Sequence, residues 1–361
     1  MHAALHVALT TASLLLFFVA PSSSLAYRDY FTAEQKAQLE RIQTVRVETL
    51  MLSDKGSIDA APIADLVARR LNELGYRTVG DAGKPHDVLF RVKCEQRKTW
   101  EGTTVAGGDA DLPDAPSRLW KGPACQLTYL LGELKVRWQK EVRTDFEDAV
   151  SAAQTANAGD PAVFAMHKLS DKLEQYDFPV LITAEWGQPD RLLKLLDAAD
   201  TPQVRKIKII SVLGEMQADE ALPKLKQTLK DRELAKQAAV ALGNLGKEGI
   251  PVLVDLMRTA PQVELRAAAA KGLGQLGGTY GDSSVVPPLL EVLKNPDADW
   301  VLLTEVAWAL GKVPDKRSIQ PLYDLDRKLQ GMRDPDNVPL KKLKEAVFWA
   351  IKQCDTWDQY S

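Results

Sequence analysis

The residues best suited to chemistry are few in this 361-residue chain, which carries four histidines and three cysteines. His2 and His6 fall in an apolar leader, and His86 and His167 stand far apart, at no metal-ligand spacing. A histidine-based zinc or iron site needs several ligands converging. A serine or cysteine nucleophile needs an imidazole beside it, and neither remaining histidine lies in such a context. His167 sits in a helical run, Val163 to Leu173, where a surface or satisfied position is the expectation. Asp109, Asp111 and Asp114 lie close enough to suggest calcium, but the run lacks the terminal glutamate and glycine placement of an EF-hand loop. Gly107-Gly108 is not followed by the Lys-Ser or Lys-Thr of a phosphate loop. The sequence therefore offers no catalytic residue, no metal site and no cofactor, and binding is expected in place of catalysis.

The cysteines divide by context. Cys94 ends the strand-like run Val88-Leu89-Phe90-Arg91-Val92-Lys93-Cys94, and Cys125 opens another, Cys125-Gln126-Leu127-Thr128-Tyr129-Leu130-Leu131. Neighbouring strands bring Cα atoms within the roughly 4.4 to 6.8 Å that a disulfide spans. A Cys94–Cys125 bridge is the expectation, with two separately buried thiols as the alternative.

That bridge requires an oxidising compartment, and the amino terminus is consistent with export. Residues 1–26 read as a signal peptide: Leu14-Leu15-Leu16-Phe17-Phe18-Val19-Ala20 forms an apolar heart, and Ser24-Leu25-Ala26 supplies small residues for cleavage before Tyr27. The segment lacks Lys and Arg, so an uncleaved anchor is the alternative. No later segment has the length of a membrane span. The mature protein is expected to be periplasmic or secreted, without stable membrane insertion. A formal net charge of -3 gives no basic excess for nucleic acid.

The elements that must position any binding residues differ between the halves. From residue 187 to 361 only helices are indicated, and the pattern repeats. Val212-Leu213-Gly214-Glu215-Met216, Ala241-Leu242-Gly243-Asn244-Leu245, Gly272-Leu273-Gly274-Gln275-Leu276 and Ala309-Leu310-Gly311-Lys312-Val313 close four similar segments, with glycines 29, 31 and 37 residues apart. That is the length of a helical hairpin. Pro223, Pro251, Pro287 and Pro321 mark the partner helices, proline being tolerated in a first helical turn. Counting nine, five and one before the glycine and two after gives apolar stripes of helical period: Leu234, Ala238, Leu242, Leu245; Leu265, Ala269, Leu273, Leu276; and Leu302, Val306, Leu310, Val313. In a fifth, less regular unit the count gives Leu343, Val347, Ile351 and Cys354, which makes Cys354 a small core residue.

Residues 265–277, Leu-Arg-Ala-Ala-Ala-Ala-Lys-Gly-Leu-Gly-Gln-Leu-Gly, resemble a unit of the HEAT-like repeats named after phycobilisome lyases, and the resemblance extends from Gln188 to Cys354. It implies an α-solenoid of about five hairpins whose second helices line a partner-holding surface. It does not specify a function. HEAT-like hydroxylases hold iron through paired His-Glu motifs, and this stretch contains no histidine.

Seven before, three before and one after each glycine lie opposite the core. Trp308 and Trp349 take equivalent places there in successive units, with Lys271, Lys312 and Gln275 nearby. This is the aromatic anchor and cationic rim of a partner-binding site, unless Trp357 and neighbouring side chains cover the rings.

Residues 27–186 suggest a small α/β (α+β) domain. A helix over 32–41, a strand over 45–52, an amphipathic helix over 62–74 capped by Gly75, and strands at 76–79 and before Cys94 follow one another. The order resembles helix-strand modules of bacterial envelope proteins. Residues 99–123, with Trp100 and Trp120, read as a long functional or mobile loop. Val163, Phe164, Met166, Leu169 and Leu173 are expected to cover the sheet, and 178–186 to form a last strand. The combined expectation is an exported, non-enzymatic scaffold that binds a protein or peptide partner. A cofactor-handling or lyase-like enzyme and a structural envelope subunit are the alternatives.

Overall fold

The computed structural model describes residues 31–103, 117–295, 297–332 and 336–360. The leader, Gly107-Gly108 and the Asp109, Asp111, Asp114 group lie outside the described residues.

A helix, α1 (Ala33–Glu40), leads into a mixed sheet of β1 (Thr44–Ser53), β2 (Gly56–Ile58), β3 (Arg77–Val79), β4 (Val88–Thr103), β5 (Ser117–Leu131) and β6 (Leu134–Arg143). Its order is β2-β1-β4-β5-β6, with β3 also on β1. Between β2 and β3 runs α2 (Ala61–Asn72), which buries Ile63, Val67 and Leu71. Gly75, at φ 78°, reverses the chain after it in a conformation that costs glycine little. This return lays β3 and β4 parallel to β1, and β4-β5-β6 continue as an antiparallel meander. Period-two alternation then separates the faces. Met51, Phe90, Val92, Leu127, Tyr129 and Trp138 are buried. Arg46, Glu48, Arg91, Lys93 and Glu95 alternate with them and pair along the open face.

Three expectations for this half need correction. The stretch 99–123 is largely ladder: Thr99 pairs with Lys121, Trp100 with Trp120 and Thr103 with Ser117. Its threonines and tryptophans suit strands, and Pro123 falls at the register shift after Glu95, where its missing N–H costs no ladder bond. Phe178–Glu185 is a helix, α5, and not a strand. Its continuous apolar run is buried on most sides, with Leu181 and Ala184 half-buried, and Pro179 occupies a first-turn position that a helix accepts. Finally, Val163 is exposed, while Met166, Leu169 and Leu173 of α4 (Pro161–Gln175) are buried, because only one stripe of that helix faces the sheet. The short α3 (Ala149–Thr155) packs on α4.

Five helical hairpins follow: α6 (Pro189–Asp197) with α7 (Gln203–Glu215), α8 (Leu222–Thr228) with α9 (Ala235–Leu242), α10 (Ile250–Thr259) with α11 (Val263–Tyr280), α12 (Val286–Leu293) with α13 (Trp300–Lys312), and α14 (Lys316–Gln330) with α15 (Val338–Tyr360). This is the α/β region followed by a solenoid that the sequence leads one to expect.

The halves meet through polar groups around an aromatic centre. Trp186 is fully buried and meets Tyr76 and Tyr129 edge-on, at centroid distances of 5.2 and 5.8 Å. Asp177, just before α5, accepts from Arg70 of α2 at 2.8 Å and from Arg205 of α7 at 2.9 Å. Both arginines also donate to Glu73 at 2.8 Å. The Gln188 amide donates to the Leu39 and Ile42 carbonyls and accepts from the Tyr76 hydroxyl. The Arg191 guanidinium lies 4.1 Å from the Tyr76 ring and donates to the Leu74 carbonyl.

Candidate partner-binding face

What frees one face of the second helices is the way each packs against the next. A Cβ at Gly214 would lie 2.9 Å from the Ala241 Cα, and one at Gly274 would lie 2.6 Å from the Ala309 Cα. At Gly243 it would meet the Gly272 backbone, and at Gly311 the Trp349 ring and Ala350 backbone. Each motif glycine thus abuts a small residue two positions before the corresponding site of the following unit. The helices approach backbone to backbone, which only glycine and alanine permit. All twelve stripe positions counted from Gly243, Gly274 and Gly311 are buried, as are Leu343, Val347, Ile351 and Cys354. Cys354 points its thiol at the Leu310 carbonyl, and burial pushes the thiol's pKa up.

With one side on the partner helix and two edges on neighbouring hairpins, the remaining face carries the predicted positions. Ile207, Ser211, Val240, Asn244, Gln275, Thr304, Trp308, Trp349 and Gln353 are partly open, and Lys236, Lys271, Lys312 and Glu345 are exposed. Ala267 is the exception and is buried, its small side chain being covered where the helices close on one another. The Trp308 and Trp349 ring centroids are 4.9 Å apart and tilted by 49°. The Trp349 ring lies over Gly311, whose missing side chain provides its seat.

Lys271 and Gln275 are one turn apart on α11, Trp308 and Lys312 on α13, and Trp349 and Gln353 on α15, a spacing that puts each pair on one face. Three adjacent helices therefore present a two-by-three lattice: Lys, Trp, Trp in one row and Gln, Lys, Gln in the next. Desolvation by the surrounding protein, and next the charge of Lys271, hold the Lys312 amine below its usual pKa, against an opposing pull from Glu305. The Gln275 side-chain oxygen is buried without a hydrogen-bond donor.

Counting from the glycine missed Phe348. Four positions before the glycine, Ile210, Ala239, Ala270 and Ala307 are buried against the next hairpin. Phe348 holds that place in the last one and is 69% exposed. The visible signal was a large aromatic ring where the other units place mostly alanine.

Elsewhere, His167 is exposed and His86 contacts the Lys84 carbonyl. Among the described residues, no three or more His, Cys, Asp or Glu side chains are grouped so as to hold a metal. Cys94 and Cys125 stand directly opposite each other on β4 and β5 and are joined by a disulfide on the covered face.

A profile for HEAT repeats matches residues 189–274 and 250–329. The helical half is therefore built of HEAT repeats over 189–329, a stretch that includes Trp308 and ends before Trp349. Among solved structures, that of human deoxyhypusine hydroxylase in complex with glycerol is 16% identical, over 57% of this chain and 90% of its own, with a TM-score of 0.25. At that score the likeness carries no argument about this chain's activity. No curated protein matches the chain.

Proposed function

We propose that this protein is an exported scaffold whose HEAT-repeat half binds a protein or peptide partner across the second-helix face of its last three hairpins. The observation that carries the proposal is the half-open pair of indole rings, Trp308 and Trp349, at equivalent places of successive repeats. Helix stacking in the earlier repeats uses the glycine and alanine positions, and at the last seam the Trp349 ring packs on Gly311 while remaining partly open. Large aromatic rings partly open to solvent are typical centres of binding energy at interfaces. The Cys94–Cys125 disulfide supports an oxidising compartment, in line with the apolar leader. The sheet domain is keyed to the first hairpin and, in this reading, holds a second component.

The test is affinity capture from the native extracytoplasmic fraction with the full chain and with a Trp308→Ala, Trp349→Ala double variant. The proposal expects a specific protein to be retained by the first and lost by the second. An unchanged set of captured proteins would remove this face from the account.

A second reading, a structural subunit of a larger assembly, is favoured by Phe348 alone, a large ring that is exposed on α15. Self-association that disappears on Phe348→Ser would support it.

A further inference from the structure

The exposed stripe of α15 is complementary to itself. We infer that the protein pairs with a second copy across a two-fold axis, the two α15 helices meeting antiparallel at Phe348, with Glu345 of each copy on Lys352 of the other. This rests on the second reading above and gives that assembly its form. It is independent of what the Trp308 and Trp349 rings bind.

Three observations commit this stripe to that occupant. First, a further hairpin stacked like the others does not fit on it. At each earlier seam a Cβ on the motif glycine would lie 2.3 to 2.9 Å from the following helix, and Ala239, Ala270 and Ala307 are buried beside it. On α15 the glycine place holds exposed Lys352 and the alanine place holds Phe348, 69% exposed. Two bulky side chains hold any next backbone away from such an approach. Second, the charges beside the ring are opposite in sign and straddle it. Glu345 lies three residues before Phe348 and Lys352 four after, both exposed, and their separation of two turns puts them on one flank of the helix. A two-fold axis perpendicular to both helices reverses the chain direction and keeps each flank on its own side, so acid meets base twice and ring meets ring. A parallel pairing of the same stripe would set like charges at the same level. Lys341 and Asp355, seven residues before and after the ring, repeat the pattern, with Asp355 held by the Tyr323 hydroxyl at 2.6 Å. Third, among the described residues neither Glu345 nor Lys352 forms an ion pair within the molecule. A contact one helix wide buries less than about 1,200 Å², a size typical of weak, reversible association, so the dimer should dissociate at about 10 µM.

Sedimentation velocity of the full chain, from about tenfold below to about tenfold above that concentration, should show a monomer converting to a dimer. Glu345→Lys alone and Lys352→Glu alone should each weaken the dimer roughly tenfold, because two attractive pairs become repulsive. An equimolar mixture of these two variants should dimerise about as tightly as the unaltered protein, a recovery that misfolding cannot produce. Phe348→Ser should leave a monomer. Self-association that needs Phe348 but ignores both charge reversals, or a mixture as dissociated as its two components, overturns the inference and leaves the assembly reading standing. Oligomers larger than two, which one two-fold contact cannot form, do the same. Self-association indifferent to Phe348→Ser, or a chain that stays monomeric throughout, overturns both.

Discussion

Gly311 and Trp349 show how much rests on single side chains at the binding face. The ring occupies the space that a Cβ at residue 311 would take, so Gly311→Ala has to tilt the indole or spread α13 from α15. The variant should stay folded, lose about 1–3 kcal/mol of stability as overpacking does, and weaken partner binding together with a shift in tryptophan emission. Unchanged emission and affinity would mean the ring has no fixed seat. The cationic side of the face is sensitive to pH. Because the Lys312 amine is held below its usual range, it loses its proton at lower pH than an ordinary surface lysine. Attraction for a carboxylate is complete below that range and fades as pH rises through it. Partner affinity should therefore fall on the alkaline side, and Lys312→Arg, which keeps its charge, should abolish the fall. A titration of partner affinity against pH checks both.

Among the elements, the second helices depend on contacts made by the absence of side chains. A methyl group at residue 274 would sit 2.6 Å from the Ala309 Cα, a backbone atom that cannot turn aside. Gly274→Ala should thus cost about 1–3 kcal/mol or more, visible as a lower denaturation midpoint, even though the change raises local helix propensity by ~1 kcal/mol. A neutral or stabilising result would show that the hairpins are not clamped at their glycines. The same regularity made the stack legible from sequence: four glycines set a register, and the register named the core down to Cys354. Where that register was lacking, reading was harder. The run Phe178–Glu185 is apolar and short, which gives strand and helix the same signature, and the glycines and prolines of 99–123 masked strand-forming threonines and tryptophans. The exposure of Phe348 was hidden because the equivalent position is buried in every earlier unit.

In the molecule as a whole, the sheet domain and the repeats share one continuous core, held in register by the Arg70, Glu73, Asp177 and Arg205 cluster. These residues come from three separate stretches, and no local period could have paired them in the sequence. Asp177 stands between both arginines, and its side chain is 8% exposed. Asp177→Ala would leave two largely buried guanidinium groups without their central carboxylate, and should cost about 3–5 kcal/mol in thermal or chemical unfolding. A loss below ~1 kcal/mol would mean that water reaches the cluster freely. The arrangement keeps the first hairpin fixed on the sheet, so the far hairpins present their lattice from a rigid base.

A partner is expected to sit on the open side of α13 and α15. Hydroxyl-radical footprinting read residue by residue, on the full chain alone and with its captured partner, decides this. Trp308 and Trp349 should oxidise readily in the free protein and become protected several-fold in the complex, while exposed Val204 and Val163 keep their reactivity. Protection elsewhere, with both tryptophans oxidised as fast as before, would contradict it.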